Sequence, residues 1–493
     1  MRFFYKFTSI LLTLIITFTV SACTNSKDAY IYFELPEVPT TLDPQAASTD
    51  SELMIVRNIF EGLLRKDKNG DIVEAVAQSY TKSGLTYTFE LRKDAKWSNG
   101  EDLTAKDFVF GLKRAVNPET KSPFAHRLFA ISNAKEIYEG LKGVDSLGVS
   151  ASGTHSLKIT LEGDDPHFLE TLTTCVAMPC NESFFYETDG KYGIFSDKLI
   201  YNGSYKMSRW RKETFGIRLY KNDNYNGNFA ALNAAVFITC DKDKDTLEQL
   251  KKNSIDIAFI DSTLVKIATD AELKTKEIEN ICWVLTLGNN FSNDMRKALS
   301  LLIGSEIYDS SLPLGYKTAS SIFPESIEGE QTSSGLTFYD KEAGKSLYLK
   351  ELKNFEEEKF PSDTVLYYYD NKVIKPVVTD IVGHWQNNLS AFVNIEAASS
   401  PELLISQLID NTYSMSIFPV KASSTRSDEF LMQFGYDNNY NSLEEAQTEI
   451  LKSNTIVPLM FQNTVIAYSP ALTEIYSELG NGYIDFAYIV KEE

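Results

Sequence analysis

The chain has 493 residues, of which 43% are hydrophobic and 12% aromatic, proportions that are enough for more than one buried core. Its formal net charge is -20, which argues against a nucleic-acid partner because phosphates require a basic surface. We expect a soluble, exported protein with two or three lobes.

The first residues have the order of a secretion signal. A basic start precedes the apolar run Phe7–Val20, which is shorter than the roughly 20 residues that a membrane-spanning helix needs. Val20-Ser21-Ala22-Cys23 resembles the lipobox of bacterial lipoproteins, in which the cysteine thiol receives a diacylglyceryl group before cleavage. We therefore predict a signal peptide over residues 1–22 and a lipid anchor at Cys23, with ordinary secretion as the alternative. Lasting attachment requires two or more acyl chains.

Periodicity predicts mainly strands in the first part of the chain. Leu85, Tyr87, Phe89 and Leu91 alternate with polar residues, so these four side chains should face a core. Thr104-Ala105-Lys106-Asp107 has the spacing of a capping box and predicts the start of a helix. The predicted strands are Asp28 to Leu35, Leu85 to Arg92, His155 to Leu161 and Gly216 to Lys221.

Beyond Asn290 helical and strand patterns alternate, which is typical of a βα lobe. A Ser-, Gly- and Glu-rich stretch, Ser320 to Gly335, predicts a long surface loop. The predicted helices are Ser292 to Ile303, Lys341 to Phe355, Ile374 to Leu389 and Pro401 to Ile409. The predicted strands are Thr364 to Tyr369, Phe392 to Glu396 and Tyr413 to Phe418.

Residues with catalytic or metal-binding potential do not form a recognisable constellation. The four histidines lack metal-ligand spacing, and no GxSxG elbow is present. Ala343-Gly344-Lys345-Ser346 ends like a phosphate-binding loop, but Tyr339 occupies the position of the required glycine. We predict no catalytic residue, no metal and no cofactor.

Four cysteines besides Cys23 leave the redox state open. Cys175, Cys180, Cys240 and Cys282 permit three complete pairings that the sequence cannot rank. Export allows disulfides, but a chain of this length does not need them. Buried free thiols are an equal alternative.

Several sequence blocks, in order along almost the whole chain, are similar to the family 5 extracellular solute-binding proteins, the receptors of oligopeptide, dipeptide and nickel importers. Each block is short, and their joint order carries the resemblance. The blocks begin with Pro39-Thr40-Thr41-Leu42-Asp43-Pro44, Ile59-Phe60-Glu61-Gly62-Leu63-Leu64 and Leu91-Arg92-Lys93-Asp94-Ala95-Lys96-Trp97-Ser98-Asn99-Gly100. They continue through 103–110, 117–125, 201–207, 293–300, 385–389 and 456–460, and the block at 117–125 resembles the oligopeptide branch.

The resemblance implies an α/β fold of the type II periplasmic-binding-protein class, with two lobes joined by a hinge and an extra domain inserted in the first lobe. Mapped onto this chain, lobe I comprises 28–73, 196–283 and 471–493, the inserted domain II comprises 74–195, and lobe III comprises 284–470. The ligand would be enclosed between the lobes. Closure on the ligand would then create the form that docks on the permease of an ABC transporter. The implied protein is an extracytoplasmic monomer that does no chemistry.

The resemblance also implies ligand contacts from two segments. In peptide-binding relatives the ligand backbone pairs, like an added strand, with a segment after the Leu-Asp-Pro block and with another in the second lobe. The first segment matches Ser48, Thr49 and Asp50, and Phe124 matches an aromatic contact that could equally be ordinary packing. The second segment matches Pro419, Val420, Lys421, Ala422 and Ser423.

The second segment departs from the family pattern. Relatives carry a Gly-Trp pair followed by an aspartate that meets the peptide α-ammonium, whereas Pro419-Val420 and Ala422-Ser423-Ser424 stand here. An ammonium buried without its partner costs several kcal/mol. Asp50, Asp428 or Glu429 could replace the charge, although a solvated surface acid is the expected role of each.

This departure and an apparent shortening of the second lobe after Tyr413 imply a trimmed or re-lined pocket. The alternatives to a peptide receptor are therefore a receptor for another solute, such as an oligosaccharide, and a sensor. A secreted hydrolase on the same scaffold is a third alternative, disfavoured by the missing catalytic motifs.

Overall fold

The computed structural model describes residues 30–208, 216–227, 235–239, 245–328, 335–355, 358–369, 374–398, 414–434, 442–478 and 480–491. The predicted leader with Cys23, the residues Trp210 and Cys240, and the helix predicted from Pro401 lie outside these ranges. Within them, no helix combines the length and the apolar composition that crossing a membrane would take.

The chain divides into two compact units. The first unit comprises the described residues of Met1–Asp241 and Phe486–Glu493, and the second comprises those of Lys242–Asp485. The boundaries given above for lobes I and III and for the inserted domain stay a prediction.

The first unit contains two sheets and a hairpin. Strands β8, β9 and β10 are antiparallel and β1 joins β10 in parallel, while β4, β5, β7 and β6 form a separate antiparallel sheet in that order. Strands β2 and β3 pair with each other. The strands are β1 Tyr30–Glu34, β2 Leu64–Lys66, β3 Ile72–Glu74, β4 Ala77–Ser83, β5 Thr86–Leu91, β6 Val149–Ala151, β7 Ser156–Thr160, β8 Tyr205–Met207, β9 Gly216–Lys221 and β10 Ala235–Thr239. The helices are α1 Asp50–Ile59, α2 Ala105–Val116, α3 Ala134–Tyr138, α4 Phe168–Thr171 and α5 Glu182–Glu187.

The second unit is built on one mixed sheet. Its described strands follow the order β15, β14, β16, β12, β17 and β11, in which the two pairs that involve β14 are parallel and the others antiparallel, and β13 also pairs with β17. The strands are β11 Ile257–Ile260, β12 Lys274–Leu287, β13 Tyr316–Thr318, β14 Val365–Tyr369, β15 Asn394–Ala398, β16 Ser414–Lys421, β17 Ile456–Tyr468 and β18 Leu472–Glu474. The helices are α6 Thr246–Lys251, α7 Val265–Asp270, α8 Asn293–Ser300, α9 Ser305–Tyr308, α10 Lys341–Glu351, α11 Lys375–Leu389, α12 Ser427–Met432 and α13 Leu443–Lys452. Strand β19, Val490–Lys491, belongs to the first unit.

The α/β fold class predicted from the sequence is confirmed. Helix α2 begins where its capping box predicts: the Asp107 carboxylate accepts the backbone N–H of Thr104 at 2.7 Å. Tyr87, Phe89 and Leu91 of β5 are buried, as the alternation predicts. The inward orientation expected for Leu85 is wrong, because this residue precedes the strand and is 39% exposed.

Two other expectations need correction in the second unit. The strand expected at Phe392 begins at Asn394, and Phe392 is exposed, because the register with β14 begins at the Val365–Asn394 pair. The stretch 320–328 is not simply a surface loop, since Ile322, Phe323 and Ile327 pack into a hydrophobic core. The phosphate-loop-like segment lies within α10, as its helical pattern predicts.

The three tryptophans within the described residues are buried. Trp97, Trp283 and Trp385 are at most 1% exposed. The indole N–H of Trp385 donates to the carbonyl of Leu299 at 3.0 Å, which satisfies the polar group inside the core between α8 and α11.

Candidate functional site

In the first unit, the predicted ligand segment lies immediately before α1. Thr49 caps the helix, with its hydroxyl accepting the N–H of Glu52 at 3.3 Å, while the Glu52 carboxylate accepts the N–H of Thr49 at 3.2 Å. This reciprocal pair is a capping box, which satisfies two N–H groups that a helix start leaves without partners. The box determines the direction in which the chain enters the helix.

Glu52 also binds residues far outside the capping box. One carboxylate oxygen accepts the N–H groups of Thr40 at 2.8 Å and Thr41 at 3.1 Å and the Thr40 hydroxyl at 2.6 Å. The other oxygen accepts the N–H of Ser48 at 2.9 Å in addition to that of Thr49. Burial alone would raise the pKa of Glu52, but these hydrogen bonds outweigh it and lower the pKa, so the carboxylate is charged.

These hydrogen bonds limit which polar groups of the predicted ligand residues can contact a ligand. Thr49 uses its N–H and hydroxyl within the capping box, and its carbonyl accepts the N–H of Leu53 at 2.9 Å. Ser48 is exposed, and its N–H is bound to Glu52 and is therefore not available to a ligand. Asp50 is half-buried in the first turn of α1, where a carboxylate is favoured by the helix dipole.

A buried ion pair fixes the start of the same segment. Both guanidinium nitrogens at the end of Arg114 on α2 bind Asp43, at 3.1 and 2.6 Å, and Arg114 also donates to Gln45 at 2.8 Å. Its guanidinium carbon lies 4.1 Å from the centre of the Phe185 ring. Burial would lower the pKa of Arg114, but Asp43 outweighs this effect and raises it.

Phe124 is half-buried and has a partner within its own unit. The guanidinium carbon of Arg127 lies 4.8 Å from the centre of the Phe124 ring, a cation–π distance. The ring can therefore offer a ligand only the surface that Arg127 leaves uncovered. Its role as a ligand contact stays a prediction.

In the second unit, the predicted ligand segment forms the end of β16. Ile417 is the last residue of β16 that pairs with β14, whereas pairing with β12 continues to Lys421. Among the described strands, Phe418, Pro419 and Val420 therefore pair with β12 and lie beyond the pairing with β14. An edge of this kind can accept an additional strand.

The register explains how β16 accommodates Pro419. The N–H of Ala422 donates to the carbonyl of Asn280 on β12 at 2.8 Å. Counting back along β16 from Ala422, every second residue therefore directs its N–H and carbonyl groups toward β12. Pro419 belongs to the other set, and its missing N–H costs no bond to β12. On the open side, Pro419 contributes a carbonyl and no donor.

Beyond β16, the chain is held by a second loop of the same unit. The Asn280 side chain accepts the hydroxyl of Thr464 at 2.7 Å and donates to the carbonyl of Gly480 at 3.1 Å. A Cβ atom at position 480 would lie 2.2 Å from the carbonyl carbon of Ser424, so only glycine permits this approach. Ala422 and Ser423 are therefore positioned by residues distant in sequence.

The acids near this loop are not solvated surface groups, which corrects the expectation for Asp428 and Glu429. Arg426 binds Asp428 at 2.5 Å and lies 3.6 Å from Glu429. Glu429, which is 6% exposed, also accepts the Ser424 hydroxyl at 2.6 Å. Both carboxylates share the Arg426 guanidinium, which makes each a weaker candidate for binding a ligand ammonium.

Sequence reasoning missed an aromatic cluster beside the open edge. Tyr367 and Tyr369 of β14 and Phe418 of β16 pack with Val365 and Ala398. Tyr369 lies at the carboxyl end of β14, the end of parallel strands where α/β proteins tend to bind ligands. Three consecutive tyrosines at the end of a predicted parallel strand were the available signal.

The described cysteines are compatible with a structural role. No disulfide forms within the described part of the chain, and Cys180 and Cys282 are buried. Burial raises the pKa of the Cys180 thiol to about 12, so it is protonated at neutral pH. No group of His, Cys, Asp and Glu side chains suited to a metal ion occurs among the residues that the structure describes.

Residues 71–442 match the model of the bacterial extracellular solute-binding proteins, family 5 Middle. A dipeptide-binding protein of Lactococcus lactis subsp. cremoris (strain MG1363) is 30% identical over 359 residues, which are 66% of this chain and 64% of that protein. The oligopeptide-binding protein OppA of Bacillus subtilis (strain 168) is 26% identical over 422 residues, 79% of this chain and 77% of that protein.

A solved structure has a similar fold. Peptide-bound OppA of Listeria monocytogenes has a TM-score of 0.77 with 21% identity, covering 94% of this chain and 99% of that one. The chain belongs to the bacterial extracellular solute-binding proteins of family 5. This is a class of extracytoplasmic binding proteins rather than enzymes, so the hydrolase alternative is dropped.

Proposed function

We propose that this protein is a lipid-anchored receptor that captures peptides and delivers them to the permease of an ABC importer. Family membership supports the receptor role, and the peptide-binding relatives support the ligand class. The observation that carries the proposal is the end of β16, where Phe418, Pro419 and Val420 pair with β12 and lie beyond the pairing with β14. An extended peptide fits such an edge because its main chain supplies the missing ladder partners.

The proposed ligand contacts divide between two kinds of group. Ser48 and Pro419 would supply main-chain carbonyls, which accept peptide N–H groups, and Asp50 would supply charge. Val420, Lys421, Ala422 and Ser423 would complete the second segment. The tyrosines at the end of β14 would meet a ligand side chain.

We infer that the peptide α-ammonium is not anchored by a carboxylate from the segment after β16. Ala422-Ser423-Ser424 contains no acid, and the nearby Asp428 and Glu429 are bound to Arg426. In an Asp50→Asn variant, which removes the other candidate acid, an N-acetylated peptide should therefore bind within about threefold of its unmodified form, since no charged hydrogen bond of roughly 1.5–3 kcal/mol is lost. A loss of a hundredfold or more on acetylation would refute this inference.

The anchor at Cys23 would hold the receptor close to its permease. It rests on the sequence alone, because Cys23 lies outside the described residues. The proposed location is the outer face of the cytoplasmic membrane or the periplasm, and the proposed functional form is a monomer that closes on its ligand.

A thermal-shift screen with pools of synthetic peptides tests the proposed ligand class. A peptide at 100 times its dissociation constant adds about 2.7 kcal/mol of stability and should raise the melting temperature. A pool of oligosaccharides serves as the control. The absence of a shift with peptides of any length would refute the peptide assignment.

A second candidate function is capture of a non-peptide solute or sensing of one. Pro419 and the missing carboxylate at 422–424 favour it, because both remove polar contacts that a peptide main chain and its ammonium would use. Mass spectrometry of ligand retained through purification discriminates between the two. A mixed peptide population would exclude the second candidate.

A further inference from the structure

We propose that one side of the sheet formed by β1, β10, β9 and β8 in the first unit lies against the membrane, where its tyrosines and cations contact the headgroups of anionic lipids. This inference rests on the lipid anchor of the proposed function, and it is independent of which ligand the receptor binds.

The two sides of this sheet differ in composition. The residues buried on one side include Ile31 and Phe33 of β1 and Ile217 and Leu219 of β9. Because successive side chains of a strand point to opposite sides, the residues that alternate with them lie on the other side of the sheet. That side, the tyrosine face, carries Tyr30 and Tyr32 of β1, Arg218 and Tyr220 of β9 and Lys206 of β8.

Side chains of the tyrosine face contact one another across the strands. The register places Tyr32 and Arg218 in one row on either side of β10. The guanidinium carbon of Arg218 lies 5.2 Å from the centre of the Tyr30 ring. The ammonium nitrogen of Lys206 lies 5.0 Å from the centre of the Tyr220 ring, and both are cation–π distances. Tyr32 and Tyr220 are nevertheless 39% and 38% exposed, so a partner can reach these rings.

The exposed charge of the tyrosine face is positive, although the whole chain has a formal net charge of -20. Among the described strands, the charged residues on this side are Arg218, Lys206 and Glu34, and Glu34 is only 5% exposed. Asp223 binds Lys206 at 2.5 Å, so that pair is neutral and Arg218 carries the charge. Lys491 adds a cation at the start of β1, where its ammonium donates to the first carbonyl of the strand at 3.3 Å.

Tyrosine and cationic side chains are suited to the surface of an anionic membrane. A tyrosine ring combines an apolar body with a polar hydroxyl, and such rings are enriched at the level of the headgroups. Anionic lipids attract each nearby Lys or Arg, but this attraction falls off within a Debye length of about 8–10 Å. The tyrosine face therefore gains from a membrane only if the chain is held close to it.

The predicted anchor supplies this closeness. Only residues 24–29 separate Cys23 from Tyr30, and seven residue steps span at most about 25 Å even in a fully extended chain. Because Tyr30 itself belongs to the tyrosine face, the tether is attached at the edge of the proposed contact. A short tether raises the effective concentration of the lipid surface, so that a contact of few charges becomes populated.

Hydroxyl-radical footprinting of the lipidated chain on vesicles tests the proposal. The full mature protein, with its acyl groups, is inserted into vesicles of phosphatidylcholine alone or of phosphatidylcholine with phosphatidylglycerol. Tyr138 of α3 is the internal reference, since it is 40% exposed and does not belong to the face. The oxidation of Tyr32 and Tyr220 relative to Tyr138 should fall severalfold on the vesicles that contain phosphatidylglycerol. Equal ratios on the two kinds of vesicle would overturn the inference.

Arg218→Gln removes one cation from the face without touching the proposed ligand contacts. The ratio of contacting to free protein on anionic vesicles should fall about fivefold, the effect expected for one cationic side chain at such a surface. Lys135→Gln is the matched control, because it removes a cation of α3 whose side chain is 65% exposed, and its footprint should equal that of the wild type. Should Arg218→Gln fail to fold, Lys491→Gln is judged by the same criterion.

The remaining outcomes separate this inference from the proposed function. If mass spectrometry finds no acyl group on Cys23, the proposed anchor is wrong and the inference falls with it. If the face is protected only after a permease is added to the vesicles, its partner is a protein and the inference is overturned. Peptide binding by Arg218→Gln should match the wild type in the thermal-shift screen, so a failed peptide screen refutes the ligand class and leaves the footprint to decide on the face.

Discussion

Replacing Asp43 by Asn should destabilise the first unit strongly, because Arg114 would keep its charge in a buried site and lose its partner. The two residues form two hydrogen bonds, at 3.1 and 2.6 Å, and their side chains are 7% and 9% exposed. Removing one member of a buried ion pair costs about 3–5 kcal/mol. Asparagine keeps one acceptor oxygen, and Gln45 and the Phe185 ring still contact Arg114, so we expect about 3 kcal/mol.

Thermal unfolding measures this loss. For a domain of roughly 200 residues, 3 kcal/mol corresponds to a decrease of about 6–12 °C in the melting temperature. Asp145→Asn is the control, since Asp145 binds Lys113 of the same helix at 2.7 Å but is exposed to solvent, so its melting temperature should match the wild type. A decrease of less than about 2 °C for Asp43→Asn would refute the reasoning that this pair stabilises the unit.

Four further predictions follow from individual residues. Cys23→Ala should leave the protein folded and release it from membranes, and continued membrane retention after fractionation would count against the anchor. Folding lowers the pKa of Glu52, so its stabilising effect is fully present above the unfolded pKa and is lost as the pH falls through the folded pKa. The difference in unfolding free energy between wild type and Glu52→Gln should therefore be constant from pH 7 to about 5 and shrink in stronger acid. A difference that stays constant down to pH 2 in urea unfolding would contradict this. The Cys180 thiol, with its pKa raised to about 12, should react with Ellman's reagent at pH 8 only after unfolding, and the Cys180→Ser variant identifies its signal. Gly480→Ala should displace the loop at Ser424 and weaken peptide binding, and unchanged calorimetric affinity would exclude that coupling.

Local features of the fold could be predicted from the sequence. The start of α2 depends on Thr104 and Asp107, which are three residues apart, and the inward side of β5 depends on strict alternation. Thr49-Asp50-Ser51-Glu52 has the same capping-box spacing and could have been recognised in the same way. These signals suffice because the interacting groups are neighbours along the chain.

Contacts between distant residues could not be predicted. Nothing in the sequence around Glu52 indicates that it also binds Thr40 and Thr41, and the Asp43–Arg114 pair joins residues 71 positions apart. Neither an alternation pattern nor a short motif encodes such pairs, because they depend on how complete elements pack. The same limit explains why Glu429 was expected at the surface, although Arg426 and Ser424 hold it in a buried position.

Native mass spectrometry of the protein purified without added ligand, followed by release and sequencing of whatever it retains, tests the proposed function most directly. We expect a mixture of peptides that dissociates on unfolding and is displaced by the peptide selected in the thermal screen. Retention of a single non-peptide solute, with no peptide bound before or after the screen, would contradict the assignment of this family member as a peptide receptor.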